Sequence, residues 1–278
     1  MLLPEISELF EAHWKPGWGT VAPDELDYIQ SLIRQHRPTH FLEIGMASGM
    51  STGFIARFLE ANGGQTLTSV DHDDTFFGDT SKPNGFLIPA LYKGTGVEVR
   101  LEKFKTALDV GGFRRTWEMA FIDANHQHPW PMLDTLAVAP YLTGAKVLIH
   151  HDLDLFMKQK QAIGIGPKYL FDQFPESHRE ASDANSGNIF SVSLDMPKEQ
   201  LEDLAIKALQ LPWSLRVTLQ PRYIQQVRHM LATHYSPRLC NHFDQVLKNQ
   251  NRPEPQRGGR RHWLRTAMPA AVRRLVSR

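Results

Sequence analysis

Residues His40–Gly53 read HFLEIGMASGMSTG. Phe41 and Leu42 run into Glu43 and Ile44, and glycines stand at 45 and 49. A short apolar run that ends at glycine and leads into STGFIARFLEA (Ser51–Ala61) reads as strand, turn and helix. Such a turn offers backbone N–H groups and a helix N-terminus to a ligand. Gly45 and Gly49 let the backbone approach where a side chain would clash. The spacing is Glu-x-Gly-x-x-x-Gly. It is not Gly-x-Gly-x-x-Gly, and no Gly-Lys-Ser/Thr follows, so pyrophosphate is not the best-fitting ligand. Glu43 stands before the turn, where a carboxylate suits an amino group. Asp71 ends the next strand, TLTSV (Thr66–Val70), where a carboxylate suits ribose hydroxyls. A nucleoside joined to an amino acid is the ligand these groups suggest.

Outward from this stretch, strands and helices alternate. Before it, Leu26, Ile29 and Ile33 recur at helical spacing in DELDYIQSLIRQH, which starts at Asp24 and ends before Pro38. After it, VEVRL (Val97–Leu101), WEMAFID (Trp117–Asp123) and KVLIH (Lys146–His150) read as strands. Residues 73–96 read as loop with a short helix around 86–92, and 103–110 as helical. Pro131–Tyr141 reads as a helix, and NIFSVSL (Asn188–Leu194) as a last strand. This order predicts an α/β fold, a doubly wound and mainly parallel sheet. Past Pro197 only helices are expected, over 198–209, 222–234 and 237–248. The predicted division is a sheet domain over 1–195, a helical extension over 196–250 and a tail over 251–278.

Composition sets further bounds. No apolar run approaches the ~20 residues of a membrane span. The start, MLLPEISELFEAHW, has glutamates and no basic segment, so a secretory signal is not expected. The single cysteine, Cys240, excludes an internal disulfide and a cysteine metal cluster, and suits a reducing cytoplasm. Net charge is +1, yet Asn251–Arg278 holds eight arginines and one glutamate, so the body is acidic and the tail basic. Trp263, Leu264, Met268, Val272 and Leu275 lie among those arginines. The tail therefore reads as an amphipathic element for a membrane surface or a partner. No base-reading module is visible, so nucleic acid is not an expected partner. The expected location is cytoplasmic, peripheral at the inner membrane face if the tail engages it.

In doubly wound sheets ligands sit at the carboxyl ends of the strands. Asp123, His126, His150, His151 and Asp152 should gather there. Two chemistries suit them. A divalent metal on the carboxylates can lower the pKa of an acceptor hydroxyl. Alternatively His126 or His151 takes the proton directly, since imidazole titrates near pH ~6.5.

Three stretches, EIGMASGMST, FIDANHQH and LTGAKVLIHHD, occur in this order. Together they resemble class I S-adenosylmethionine-dependent methyltransferases, in particular the subgroup of catechol, caffeoyl-CoA and antibiotic-sugar O-methyltransferases. The resemblance spans Asp24 to Leu194. It implies a seven-stranded Rossmann-like sheet and S-adenosyl-L-methionine as cofactor. It implies that Glu43 meets the methionine or ribose end, that Gly45 and Gly49 shape the floor, and that Ser48 and Ser51 meet the carboxylate. Asp71 would hold the ribose and Asp123 would adjoin the cofactor. The adenine contact would lie near residues 102–106.

By the same resemblance Asp123 and Asp152 match metal-binding acids. The chain departs from the pattern at Leu153, where the family places an asparagine ligand. His151 is the substitute expected there, and imidazole suits Mn²⁺, Zn²⁺ or Fe²⁺ better than Mg²⁺. His126 stands where the catechol-type enzymes carry a lysine. The acceptor implied is a small or sugar-like hydroxyl compound, including a membrane-linked glycan precursor. Gly164–Asn188 is expected as an acceptor wall or lid, with Lys158 and Lys160 near it. The helices past Pro197 are expected to form a dimer surface or a cap. Three rivals stay open: a hydroxylase-like relative, a nicotinamide-dependent oxidoreductase, and a non-catalytic scaffold.

Overall fold

A computed structural model describes residues 4–16, 18, 20–156, 164–182 and 188–250. The readings for the tail 251–278 and for Lys158 and Lys160 lie outside the described residues. The sheet follows from alternation along its central strands. In β1 (His40–Ile44), Phe41 packs on one face while Leu42 and Ile44 pack on the other. In β6 (Trp117–Ile122), Met119 and Phe121 join Phe41, and Ala120 and Ile122 join Leu42. Both faces are apolar because both are covered, as parallel sheets require.

Seven strands lie in the order β5-β2-β1-β6-β7-β9-β8. The other five are β2 (Thr66–Asp71), β5 (Glu98–Lys103), β7 (Leu142–His150), β8 (Arg179–Ala181) and β9 (Phe190–Ser193). The first five in spatial order run parallel, while β9 is antiparallel to both β7 and β8. A small hairpin, β3 (Thr75–Phe76) and β4 (Asp79–Pro83), stands apart. The expected doubly wound, mainly parallel architecture is what the chain forms.

Three helices, α1 (Pro4–His13), α2 (Pro23–His36) and α3 (Met50–Ala61), share the core on the Phe41 face. The short α4 (Ile88–Leu91) packs on α3, close to the predicted 86–92. On the Leu42 face lie α5 (Trp130–Val138) and α6 (Ile165–Gln173). The same face carries α7 (Lys198–Leu209), α8 (Pro221–His234) and α9 (Pro237–Gln250). Their buried residues, among them Leu204, Leu231 and Phe243, belong to one cluster with Leu42, Ile122 and Leu136 of the sheet layer. The segment predicted helical at 103–110 forms a 3-10 helix at Ala107–Phe113 instead. Thr106 caps that helix by accepting from the Leu108 N–H.

Candidate functional site

The parallel strands end on one line, and the backbone stitches those ends together. The N–H of Gly45 donates to Val70 O at 2.9 Å, that of Asp123 to Ile44 O at 2.8 Å, and that of His151 to Ile122 O at 3.2 Å. Above this line lies a cleft of about 700 Å³. One end is walled by Gly45–Ser48, Asp71 and Lys105–Ala107. The other is walled by His126, Trp130, Asp134 and Leu215–Gln220, with Asp123 and Asp152 on its floor, and Tyr223 joins the two ends, its hydroxyl 2.8 Å from His72 Nε2 and its ring edge-on to Trp130.

At the first end the glycines are obligatory. Gly45 has φ +100°, and a Cβ there would lie 1.9 Å from the Asp123 carbonyl oxygen. Gly49 has φ +85° at the head of α3, and its Cβ would meet the Gly85 backbone at 2.8 Å. Asp71 holds the turn. Its Oδ2 accepts from the N–H groups of Met46 and Ala47, each at 2.9 Å, and its Oδ1 accepts from Asp73 N–H at 3.0 Å.

At the second end two imidazoles and three carboxylates interlock. His126 Nε2 is 2.9 Å from Asp152 Oδ2 and 3.9 Å from Asp123 Oδ1. His151 is buried behind them, with Nε2 2.9 Å from Glu25 Oε2. Its Nδ1 lies 3.3 Å from Asp123 Oδ1 and 3.5 Å from Asp152 Oδ1, off line for a hydrogen bond with either, so charge alone links them. Asn188 Nδ2 donates to Asp152 Oδ1 at 3.1 Å and to Glu25 Oε1 at 3.2 Å. Asp152 itself sits at φ 64°, a left-handed conformation that aspartate tolerates better than most side chains.

Burial disfavours charge on both imidazoles, but the acids outweigh it. Asp152 and then Asp123 raise the His126 pKa above its usual value. Asp123, Asp152 and Glu25 lift that of His151 well above 6.5. Burial likewise opposes charge on Asp152 and Glu25, and the imidazoles beside them reverse it, holding both carboxyls below their usual range.

The family model described as "Methyltransferase domain" matches residues 42–153. Over residues 42–153 the chain is thus similar to a methyltransferase domain. These residues contain the glycine turn, Asp71, Asp123, His126 and Asp152. The chain is also similar to an O-methyltransferase from Bacillus cereus solved with S-adenosylhomocysteine: 18% identity, TM-score 0.43, 68% of this chain and 89% of that one. TomG, an O-methyltransferase from Streptomyces achromogenes solved with S-adenosylmethionine, gives 16% identity and a TM-score of 0.48, covering 69% and 91%. No curated protein matches the chain.

Several predicted site residues take different places. Gly45, Ser48, Ser51, Asp71, Asp123, His126 and Asp152 all border the cleft. Glu43 does not, because strand alternation turns it away, toward the α3 side. It is fully buried, and its carboxylate accepts from Ser51 Oγ and Thr52 Oγ1 at 2.6 Å and from Ser69 Oγ at 2.5 Å. Burial raises its pKa to about 7 against the pull of those hydroxyls. His151 stands behind the acids. Among the described residues, Asp123, His126 and Asp152 are the three whose donor atoms converge within 4.8 Å. His150 faces the core, bonded to Thr135 Oγ1 at 3.1 Å and stacked on Phe190, and burial lowers its pKa to about 3.

The expected acceptor wall at Gly164–Asn188 is corrected for its described residues, and 183–187 lie outside them. Its described residues do not line the cleft. Ile165, Tyr169 and Leu170 of α6 are buried in packing, and Asn188 braces Asp152. The strap 213–220 between α7 and α8 walls the cleft instead. Ser214 N–H donates to His128 O at 3.0 Å, and Arg216 N–H to Gln127 Oε1 at 2.7 Å, so the strap is tied to the loop that carries His126. Glu25 and Asp134 were also missed. The signal for Asp134 is a lone acid in the apolar run WPMLDTLAV, since a buried carboxyl needs a partner.

Proposed function

We propose that this chain transfers the methyl group of S-adenosylmethionine to a hydroxyl of a small or sugar-like acceptor. One observation carries the reading: the Asp71-capped glycine turn and the His126–Asp152 pair line one and the same cleft. The cofactor's amino-acid end lies along residues 45–51, its ribose at Asp71 and its adenine by Thr106 and Ala107. Asp152 holds the Nε2–H of His126 and leaves Nδ1 to take the acceptor proton, the division of labour of an acid–imidazole pair. The acceptor oxygen then attacks the methyl carbon. The C–O bond forms as the C–S bond breaks, and the electron pair stays on sulfur. The positive sulfonium supplies the drive, and the cleft supplies alignment.

A second reading is supported by the convergence of Asp123, His126 and Asp152. Two carboxylates and one imidazole suit Mn²⁺ better than Mg²⁺. A bound cation would supply Lewis acidity, lowering the acceptor's pKa, and His126 would then hold the ion and not the proton.

No helix among the described residues is long and apolar enough to cross a membrane. The eight arginines of 251–278 support contact with an anionic membrane face. Loss of liposome co-sedimentation on deleting that tail tests this.

Calorimetric titration with S-adenosylmethionine, with and without Mn²⁺, tests the main reading. Saturable binding is expected, weakened at least about tenfold by Asp71→Ala, which orphans two turn N–H groups. No saturable binding under either condition overturns it. Heat that depends on Mn²⁺ favours the metal reading.

A further inference from the structure

Asp134 has no part in the reaction as drawn, yet it lies in the cleft. It stands on α5 one turn after Trp130, which also lines the cleft. The residue is only 4% exposed, and what remains exposed opens to the cleft. Thr135 and His150 bond to each other beside it, and among the described residues its carboxyl feels the charge of His126 but accepts no hydrogen bond. A buried carboxyl without a partner costs stability and is retained where something in the cavity completes it.

We propose that Asp134 is a second anchor for the acceptor, binding a hydroxyl other than the one methylated at His126. The proposal rests on the cleft being the methyl-transfer site. The acceptor then carries at least two hydroxyls, on a ring that packs beside Trp130. Burial pushes the Asp134 carboxyl up to about 8, toward its neutral form. A neutral acid both donates and accepts, which matches a hydroxyl and not an ammonium. The ring's source is either aromatic or saturated, as in a sugar.

The test uses full-length protein and two sets of probes. The aromatic set is phenol against 1,2- and 1,3-benzenediol. The saturated set is cyclohexanol against the corresponding cyclohexanediols. Affinities are measured with S-adenosylhomocysteine present. In wild type at least one diol should bind about tenfold tighter than its mono-ol, the worth of one added hydrogen bond. The set that discriminates identifies the ring. Asp134→Leu should abolish the preference, and Asp134→Asn, which keeps a donor and an acceptor, should retain most of it.

Thermal melting separates this role from a structural one. Removal of an unpartnered buried acid should leave Tm unchanged or raised in both variants. A lowered Tm in Asp134→Asn, or a diol preference that survives Asp134→Leu, overturns the proposal. Equal binding of diols and mono-ols by wild type also overturns it. Failure of wild type to bind S-adenosylhomocysteine would instead sink the methyl-transfer reading, and this proposal with it.

Discussion

Glu43→Gln probes the centre of the fold through pH. In the wild type the Glu43 carboxyl is fully buried beneath Ser51, Thr52 and Ser69, and its pKa is displaced from 4.5 to about 7. That displacement corresponds to about 3 kcal/mol, at ~1.4 kcal/mol per tenfold change in proton affinity. The native state binds the proton more tightly than the unfolded chain, so stability falls as pH rises from 4.5 to 7 and levels off above. Glutamine has nearly the same shape, can accept from one hydroxyl and donate to another, and does not titrate. The stability of Glu43→Gln relative to wild type should therefore improve by about 3 kcal/mol between pH ~5 and ~8. For a chain of this size that is roughly 6–10 °C in Tm. Melting both proteins across that range measures the difference and cancels every other titrating group. A difference that stays flat with pH would show that Glu43 is not held toward its neutral form, and the reading of the turn's base would fail.

Gly45→Ala places a methyl 1.9 Å from the Asp123 carbonyl in a left-handed conformation, so a loss of about 3 kcal/mol or more is expected by chemical denaturation. His126→Gln should lower turnover about 100-fold or more while leaving S-adenosylmethionine affinity unchanged by calorimetry. With His126 intact, kcat/KM should rise as pH climbs through its raised pKa, because the base must be neutral to accept a proton. The pair also shapes stability. The His126 contribution is present below pH ~6.5 and lost as pH rises through its raised pKa. That of Asp152 is present above pH ~4 and lost as pH falls. Asp152→Asn should weaken both limbs of the melting profile.

The glycine turn could be read from sequence because its determinants are local. A strand, two glycines and a helix start all fall within fourteen consecutive residues. His126 and Asp152 were equally legible, since each follows a strand whose end defines the cleft. Glu25 was not. It reaches His151 from α2, more than a hundred residues earlier, and in its own helix it looks like an ordinary first-turn acid whose carboxylate accepts from Ala22 N–H. Asn188 approaches Asp152 only because β9 runs antiparallel beside β7. Glu43 misled because its residue type suited a ligand, while the pleat of β1 sent it to the opposite side. The strap 213–220 carries no periodicity at all. Its place is fixed by the burial of Trp213 and Leu219 and by backbone bonds to the loop at Gln127 and His128.

That strap also sets a schedule. The glycine turn, Asp71 and Asp123 are complete once the ribosome has passed the first half of the chain. The strap Leu215–Gln220 is translated about ninety residues later, roughly 5–20 s at ~5–20 residues per second. During that interval the growing chain has the glycine turn, His126, Trp130 and Asp134 but not the strap that closes the cleft beside them. A cofactor that binds early would brace the half-made sheet while α7, α8 and α9 are still being synthesised.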